Sequence, residues 1–183
     1  MRIVGICGSP RKGNTEWMLN KLLEAAARSG AEVDLLLLRR MNVRTCRGCL
    51  ACEEGGRERK GICKIKDDMT EAYPKLLAAD VIVLATPVYF EMLSGLLKTF
   101  LDRTCPIWPR LEGKKIAGLA VAEEDPGRAI QNLRTYASVC GMQWVGSVSA
   151  LAKTPGQVAR NSRLELRLER LAKRLVLGAG PRD

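Results

Sequence analysis

The period of the apolar positions changes several times along the chain. Residues 2–7 carry Ile3, Val4 and Ile6 in a short strand pattern that stops at Gly8. Asn14 or Thr15 can then cap a helix, in which Leu19, Leu22, Leu23 and Ala26 recur at helical spacing until Gly30. A second strand is predicted over 32–38, with a continuous apolar run at 35–38. Asp67 or Asp68 opens a helix to Ala79, and the run VIVLA at 81–85 is the strongest strand of the chain, ended by Thr86 and Pro87. A helix with Leu93, Leu96, Leu97, Phe100 and Leu101 follows. Then come a strand at 115–122, a loop at 123–127 and a helix over 128–140 with Ile130, Leu133 and Ala137 inward. A fifth strand is predicted at 142–148. The last helix sets Leu164, Leu168, Leu171 and Leu175 on one face.

Five strands alternating with five helices predict an α/β fold, a parallel sheet covered on both faces in the doubly wound, flavodoxin-like order 2-1-3-4-5. Residues 1–183 read as one domain, interrupted at 39–66 by a stretch rich in Gly, Cys and charge with no sustained period. In such a sheet ligands bind beyond the carboxyl ends of the strands, where the strand order reverses. The loops at 8–15, 86–95 and 122–128 are expected to meet there.

Composition narrows the chemistry. The chain has no histidine, which excludes imidazole bases, His-based triads and His-ligated metals. Its seven cysteines are an odd number, so metal binding or redox chemistry fits better than a full disulfide framework. The formal charge of +10 is scattered and aromatic residues are only 4%, too few for a stacking platform, so no nucleic-acid partner is expected. No apolar run approaches the ~18 residues of a membrane span. The opening MRIVGICGSP lacks the long apolar stretch and small-residue cleavage site of a signal peptide. A cytoplasmic protein with no membrane partner is expected.

Two segments read as ligand-binding. The loop Gly8-Ser9-Pro10-Arg11-Lys12-Gly13-Asn14-Thr15 lies between a strand and a helix N-terminus, where free N–H groups and the helix dipole favour an anion. Ser9, Asn14 and Thr15 supply side-chain donors, Arg11 and Lys12 supply charge, and Gly13 allows close approach. The order is neither GxxxxGK[ST] nor GxGxxG, so a phosphate site outside the P-loop and Rossmann classes is expected. After the third strand, Pro87, Val88, Tyr89 and Phe90 form a stiff, flat, partly apolar wall against which a heteroaromatic ring can lie.

GSPRKGNT at 8–15, CxGCxxC at 46–52, GxCxxxDDM at 61–69, AD at 79–80, PVYF at 87–90 and LKTFLDR at 97–103 occur in this order. Together they resemble the flavodoxin-like NAD(P)H-dependent FMN reductase family, most closely its iron–sulfur flavoprotein branch, over about residues 1–150. The resemblance implies FMN, with its phosphate held by Ser9, Arg11, Asn14 and Thr15 and its ring by Pro87, Val88, Tyr89 and Phe90. It also implies an oxidoreductase fed by NAD(P)H or reduced ferredoxin, a small acceptor such as a quinone or flavin or else a one-electron carrier, and a homodimer or homotetramer. No side chain need act as a catalytic nucleophile. A departure lies at 122–127, where Ala-Glu-Glu-Asp-Pro-Gly replaces the Gly-rich segment common in the family.

The four cysteines Cys46, Cys49, Cys52 and Cys63 follow a close CxxCxxC run with a distant fourth ligand, the spacing that recurs in iron–sulfur proteins. Arg44, Arg47, Arg57, Arg59 and Lys60 would stabilise thiolates. Three readings stay open: a [4Fe–4S] cluster, the same fold without a cluster (a redox-active thiol pair included), and tetrahedral zinc. The charged segment 53–62 before Cys63 can loop out. Cys7, Cys105 and Cys140 read as packing residues.

Overall fold

A computed structural model describes residues 1–53 and 63–177. The segment expected to loop out, with Arg57, Arg59 and Lys60, lies outside the described residues at 54–62.

The sheet contains β1 (Arg2–Cys7), β2 (Glu32–Leu37), β3 (Val81–Tyr89), β5 (Lys115–Ala122) and β6 (Gln143–Leu151), all parallel, in the order β2-β1-β3-β5-β6. A two-residue strand, β4 (Met92–Leu93), pairs antiparallel with the end of β3. Without β4 this is the expected 2-1-3-4-5 order, and the reversal falls between β1 and β3. The carboxyl ends of these neighbours feed loops that leave in opposite directions and open a crevice.

Side chains alternate across each strand. Ile3, Val81, Val83, Ala117 and Leu119 face α1 (Asn14–Arg28) and α5 (Ser162–Leu177), packing with Leu19, Leu22, Leu168 and Leu171. Val4, Ile6, Ile82, Leu84 and Ile116 face the other way. There they meet α2 (Met69–Ala78), α3 (Gly95–Asp102) and α4 (Gly127–Val139) through Leu76, Leu97, Phe100 and Leu133. Leu164, Leu168, Leu171 and Leu175 are all buried, as their spacing predicts. Full burial of such side chains is worth about 1.5–3 kcal/mol each. No helix among the described residues is long and apolar enough to cross a membrane.

Four local expectations need correction. Thr86 and Pro87 do not end β3, because the strand continues to Tyr89 and folds back as β4 through Phe90 and Glu91. Neither Asn14 nor Thr15 caps α1: the cap position is Gly13, extended and without a side-chain bond. β6 runs past Val148 to Leu151. The helix expected to include Leu93 starts at Gly95, because Ser94 accepts a hydrogen bond from the Leu97 N–H and caps α3.

Ser94 also fixes where α3 sits. Its hydroxyl donates to the Gly8 carbonyl at 2.6 Å, and its own N–H donates to Thr86 Oγ1 at 2.9 Å. Gly8 makes this approach possible, since a Cβ there would lie 2.6 Å from Leu97 Cβ and 2.9 Å from Ser94 Oγ. Gly8→Ala is therefore expected to overpack the junction and cost about 1–3 kcal/mol. Urea unfolding would read this, and an unchanged midpoint would contradict it.

Candidate functional site

At the carboxyl edge of the sheet, one cleft is lined by Ser9, Arg11, Gly13, Asn14 and Thr15 from the first loop and by Pro87, Val88 and Tyr89 from β3. Val121 and Glu123 from the end of β5, and Ala152, Lys153 and Pro155 beyond β6, complete it. The loops after β1, β3 and β5 thus meet as expected, and a fourth loop, after β6, joins them. Asn14 reaches across to that loop, its Nδ2 donating to the Thr154 carbonyl at 2.8 Å. Its Oδ1 is buried and has no partner among the described residues.

The Ser9 hydroxyl bonds within its own loop. Its Oγ donates to the Arg11 carbonyl at 2.7 Å and accepts from the Arg11 N–H at 3.3 Å, so it folds the loop on itself. Thr15 is buried in the first turn of α1, and Arg11 and Lys12 are exposed. Lys12 lies outside the cleft lining. Next to Thr15, Glu16 is buried and pairs with Arg39 at 2.7 Å, which neutralises a carboxylate beside the 8–15 loop. Sequence reading missed this pair because Arg39 lies in another element.

The β3–β4 hairpin forms the rim. Phe90 and Glu91 occupy its turn with φ of 50° and 62°, and the Phe90 side chain is 100% exposed. Left-handed backbone at non-glycine residues costs about 1–3 kcal/mol each, and such strain concentrates at functional sites. Glu91 pairs with Arg128 Nε at 2.8 Å. A second cavity, of ≈ 370 Å³, shares Val88, Tyr89 and Glu123 with the first and adds Phe90, Glu91, Ala122, Glu124 and Asp125. The acidic 123–125 segment therefore lies beside Val88, Tyr89 and Phe90.

The cysteines gather elsewhere. Cys46, Cys49, Cys52 and Cys63 all line a cavity of ≈ 140 Å³, with Arg47, Lys64, Arg103 and Pro106 among its walls. Positive φ at Gly48 (62°) and Leu50 (57°) curls the CxxCxxC segment, and the Glu53 N–H donates to the Leu50 carbonyl at 2.8 Å. Cys105 is the correction here: it lines the same cavity, with its Sγ 3.6 Å from Cys52 Sγ. Cys7 and Cys140 are buried, as expected of packing residues.

A buried ion pair anchors this cavity. Arg103 and Asp67 are 1% and 0% exposed, joined by Nη1 to Oδ2 at 2.6 Å and Nη2 to Oδ1 at 3.0 Å. Asp67 also accepts from the N–H groups of Arg44 and Met69. Arg103 donates to the Arg44 carbonyl at 2.6 Å and to Cys63 Sγ at 3.6 Å, and Tyr73 donates to the Arg103 carbonyl at 2.8 Å. Burial pushes the Tyr73 hydroxyl up to about 12, with the Cys63 sulfur adding to the rise. Burial alone would raise the Asp67 carboxyl, but the bonds from Arg103, Arg44 and Met69 outweigh it and hold it below its ordinary value.

Asp67→Asn leaves a buried guanidinium unpaired and is expected to cost about 3–5 kcal/mol. Because the folded carboxyl is depressed, its contribution is fully present above the unfolded value of about 3.9 and is lost as pH falls through the folded value. Urea unfolding of both proteins should show a gap that is constant from about pH 7 to 5 and narrows below about pH 4. A gap that closes between pH 7 and 5 would contradict the assignment.

Comparison with known proteins agrees with this architecture. The profile of the NADPH-dependent FMN reductase family matches residues 1–156. An iron–sulfur flavoprotein of Methanosarcina thermophila is 36% identical over 156 residues, covering 81% of this chain and 79% of the relative. Another iron–sulfur flavoprotein, from Archaeoglobus fulgidus, is 34% identical over 167 residues, covering 86% and 72%. Among solved structures, the apo form of an NADH:FMN oxidoreductase superposes with a TM-score of 0.72 at 24% identity, covering 99% of this chain and 91% of that one. With a flavodoxin-like sheet, a cleft at its reversal point and a family profile spanning most of its length, the chain belongs to the NADPH-dependent FMN reductase family and is an FMN-dependent oxidoreductase.

Proposed function

We propose that the chain is an iron–sulfur flavoprotein that takes electrons from NAD(P)H or reduced ferredoxin and passes them to a small acceptor, a quinone or flavin, or to a one-electron carrier. FMN bound in the cleft would supply two-electron hydride chemistry, and a [4Fe–4S] cluster held by the cysteine thiolates would supply single-electron transfer. One observation carries the reading. Helix α3 is capped at its start by Ser94, bonded to the Gly8 carbonyl, and at its end by Arg103, in the wall of the cysteine cavity. Its eight residues span about 12 Å at 1.5 Å each, so one short helix connects the two regions.

The cleft residues fit FMN. Helix α1 starts on Gly13 without a capping side chain, which leaves its first N–H groups as donors for a phosphate. Arg11 and Thr15, both in the cleft lining, complete that set, and Lys12 adds charge from outside the lining. The orphan Asn14 Oδ1 is an acceptor and needs a donor, which a ribityl hydroxyl supplies and a phosphate dianion does not. We therefore assign Asn14 to the sugar chain, Ser9 to shaping the loop, Pro87, Val88 and Tyr89 to the ring, and Phe90 to its rim.

The donor set of the second cavity fits a thiolate-bound centre, with Cys46, Cys49, Cys52 and Cys63 as ligands. Arg47, Lys64 and Arg103 offset its negative charge. Arg103 Nε, buried and without a partner among the described residues, has an N–H left to donate to sulfur. Such bonds tune the potential of iron–sulfur centres. One observation favours a second reading, a cluster-free NAD(P)H-dependent reductase of flavins or quinones: no three Cys, Asp or Glu side chains converge to hold a metal ion among the described residues.

Thr15→Ala is expected to weaken FMN by roughly 10- to 150-fold, the equivalent of one hydrogen bond to a charged group at about 1.5–3 kcal/mol. Quenching of flavin fluorescence during titration measures this, and an unchanged affinity would remove Thr15 from the site. For the metal, anaerobic purification should give about four irons and four sulfides per chain, largely lost in Cys49→Ala. Stoichiometric zinc, or no metal after anaerobic reconstitution, would favour the cluster-free reductase.

A further inference from the structure

Cys105 is the fifth sulfur of the cavity and comes from a different part of the chain. It follows α3, whereas Cys46, Cys49 and Cys52 sit on the curled segment after β2. Only 3.6 Å separates Cys105 Sγ from Cys52 Sγ, and both residues are half-buried. A disulfide is about 2.05 Å long, so closure needs the sulfurs to approach by roughly 1.6 Å. Arg47, Lys64 and Arg103 line the same cavity as the pair. Cys140, which also lies near Cys105, competes poorly because burial pushes it up and it is 3% exposed.

We propose that Cys52 and Cys105 are a redox pair that closes to a disulfide, at the expense of a low-molecular-weight disulfide, whenever no metal centre holds Cys52. The reaction is two exchanges. The Cys52 sulfur attacks one sulfur of the small disulfide, breaking its S–S bond and releasing one small thiol. The Cys105 sulfur then attacks Cys52 Sγ, forming the internal bond and releasing the second small thiol. Two electrons pass from the protein sulfurs to the small disulfide, and the two thiol protons end on the released thiols. The product ties the cysteine loop to the end of α3. It also keeps both sulfurs off the irreversible rungs of oxidation, and a small dithiol reopens it. The pairing depends on the iron–sulfur reading only in that a metal on Cys52 would block it.

The test uses the full chain, stripped of metal with a chelator under anaerobic reducing conditions, desalted, and treated with one molar equivalent of oxidised glutathione. Non-reducing trypsin digestion should yield, as the main cross-link, the Cys52-containing peptide joined to the Cys105-containing one. That peptide also contains Cys49, so Cys49→Ser should keep the cross-link and Cys52→Ser should abolish it. Cys105→Ser should instead hold glutathione on Cys52. A bridge from Cys105 to Cys49, Cys63 or Cys140, or mixed disulfides without an internal bond, would overturn the proposal. In iron-reconstituted protein the bridge should form at least tenfold more slowly, and an equal rate in iron-loaded protein would overturn the competition. If reconstitution loads no metal, the iron–sulfur reading fails while the metal-free arm still decides the pairing.

Discussion

The hydrogen bonds of Ser94 to Gly8 and to Thr86 fix where α3 starts, and both functional regions are placed relative to that helix. β1 and β3 are adjacent and parallel, so their carboxyl ends lie side by side, and a buried serine bonded to both holds the crevice at a set width. The bare α1 N-terminus faces this crevice from one side and the Pro87–Tyr89 wall from the other. Gly8 is part of the same constraint, since any side chain there would push α3 away.

At its far end α3 delivers Arg103 into the interior. A buried guanidinium is costly unless it is paired and hydrogen-bonded, and here Asp67, the Arg44 carbonyl and Cys63 satisfy most of it. The pair does more than offset charge. It fastens the two flanks of the cysteine stretch, at Arg44 and at Asp67, to the same helix end, in a region with little apolar content of its own. Cys63 is thereby brought to the cavity that the CxxCxxC segment lines.

Much of this was legible in the sequence because parallel strands and amphipathic helices leave strong periodic marks. VIVLA at 81–85 and the Leu164–Leu175 stripe are both buried where expected. The β3–β4 hairpin left no mark, since two-residue hairpin turns are recognised by Asn-Gly or Asp-Gly and this one uses Phe90-Glu91 in strained backbone. The loop at 152–155 was missed because its part in the cleft comes from β6 running three residues beyond its apolar core. The Asp67–Arg103 and Glu16–Arg39 pairs join distant elements, and periodicity carries no information about them. Cys105 reads as a packing residue for the same reason: only the fold brings it to Cys52.

We propose that the uncapped start of α1 holds the phosphate of a flavin mononucleotide at the reversal point of the sheet. Comparing FMN with riboflavin, which lacks only that phosphate, tests it directly. Fluorescence titration of the apoprotein should show FMN binding at least about 100-fold more tightly, as two charge-assisted hydrogen bonds of about 1.5 kcal/mol each require. Equal affinities for the two flavins would remove the phosphate from the α1 N-terminus.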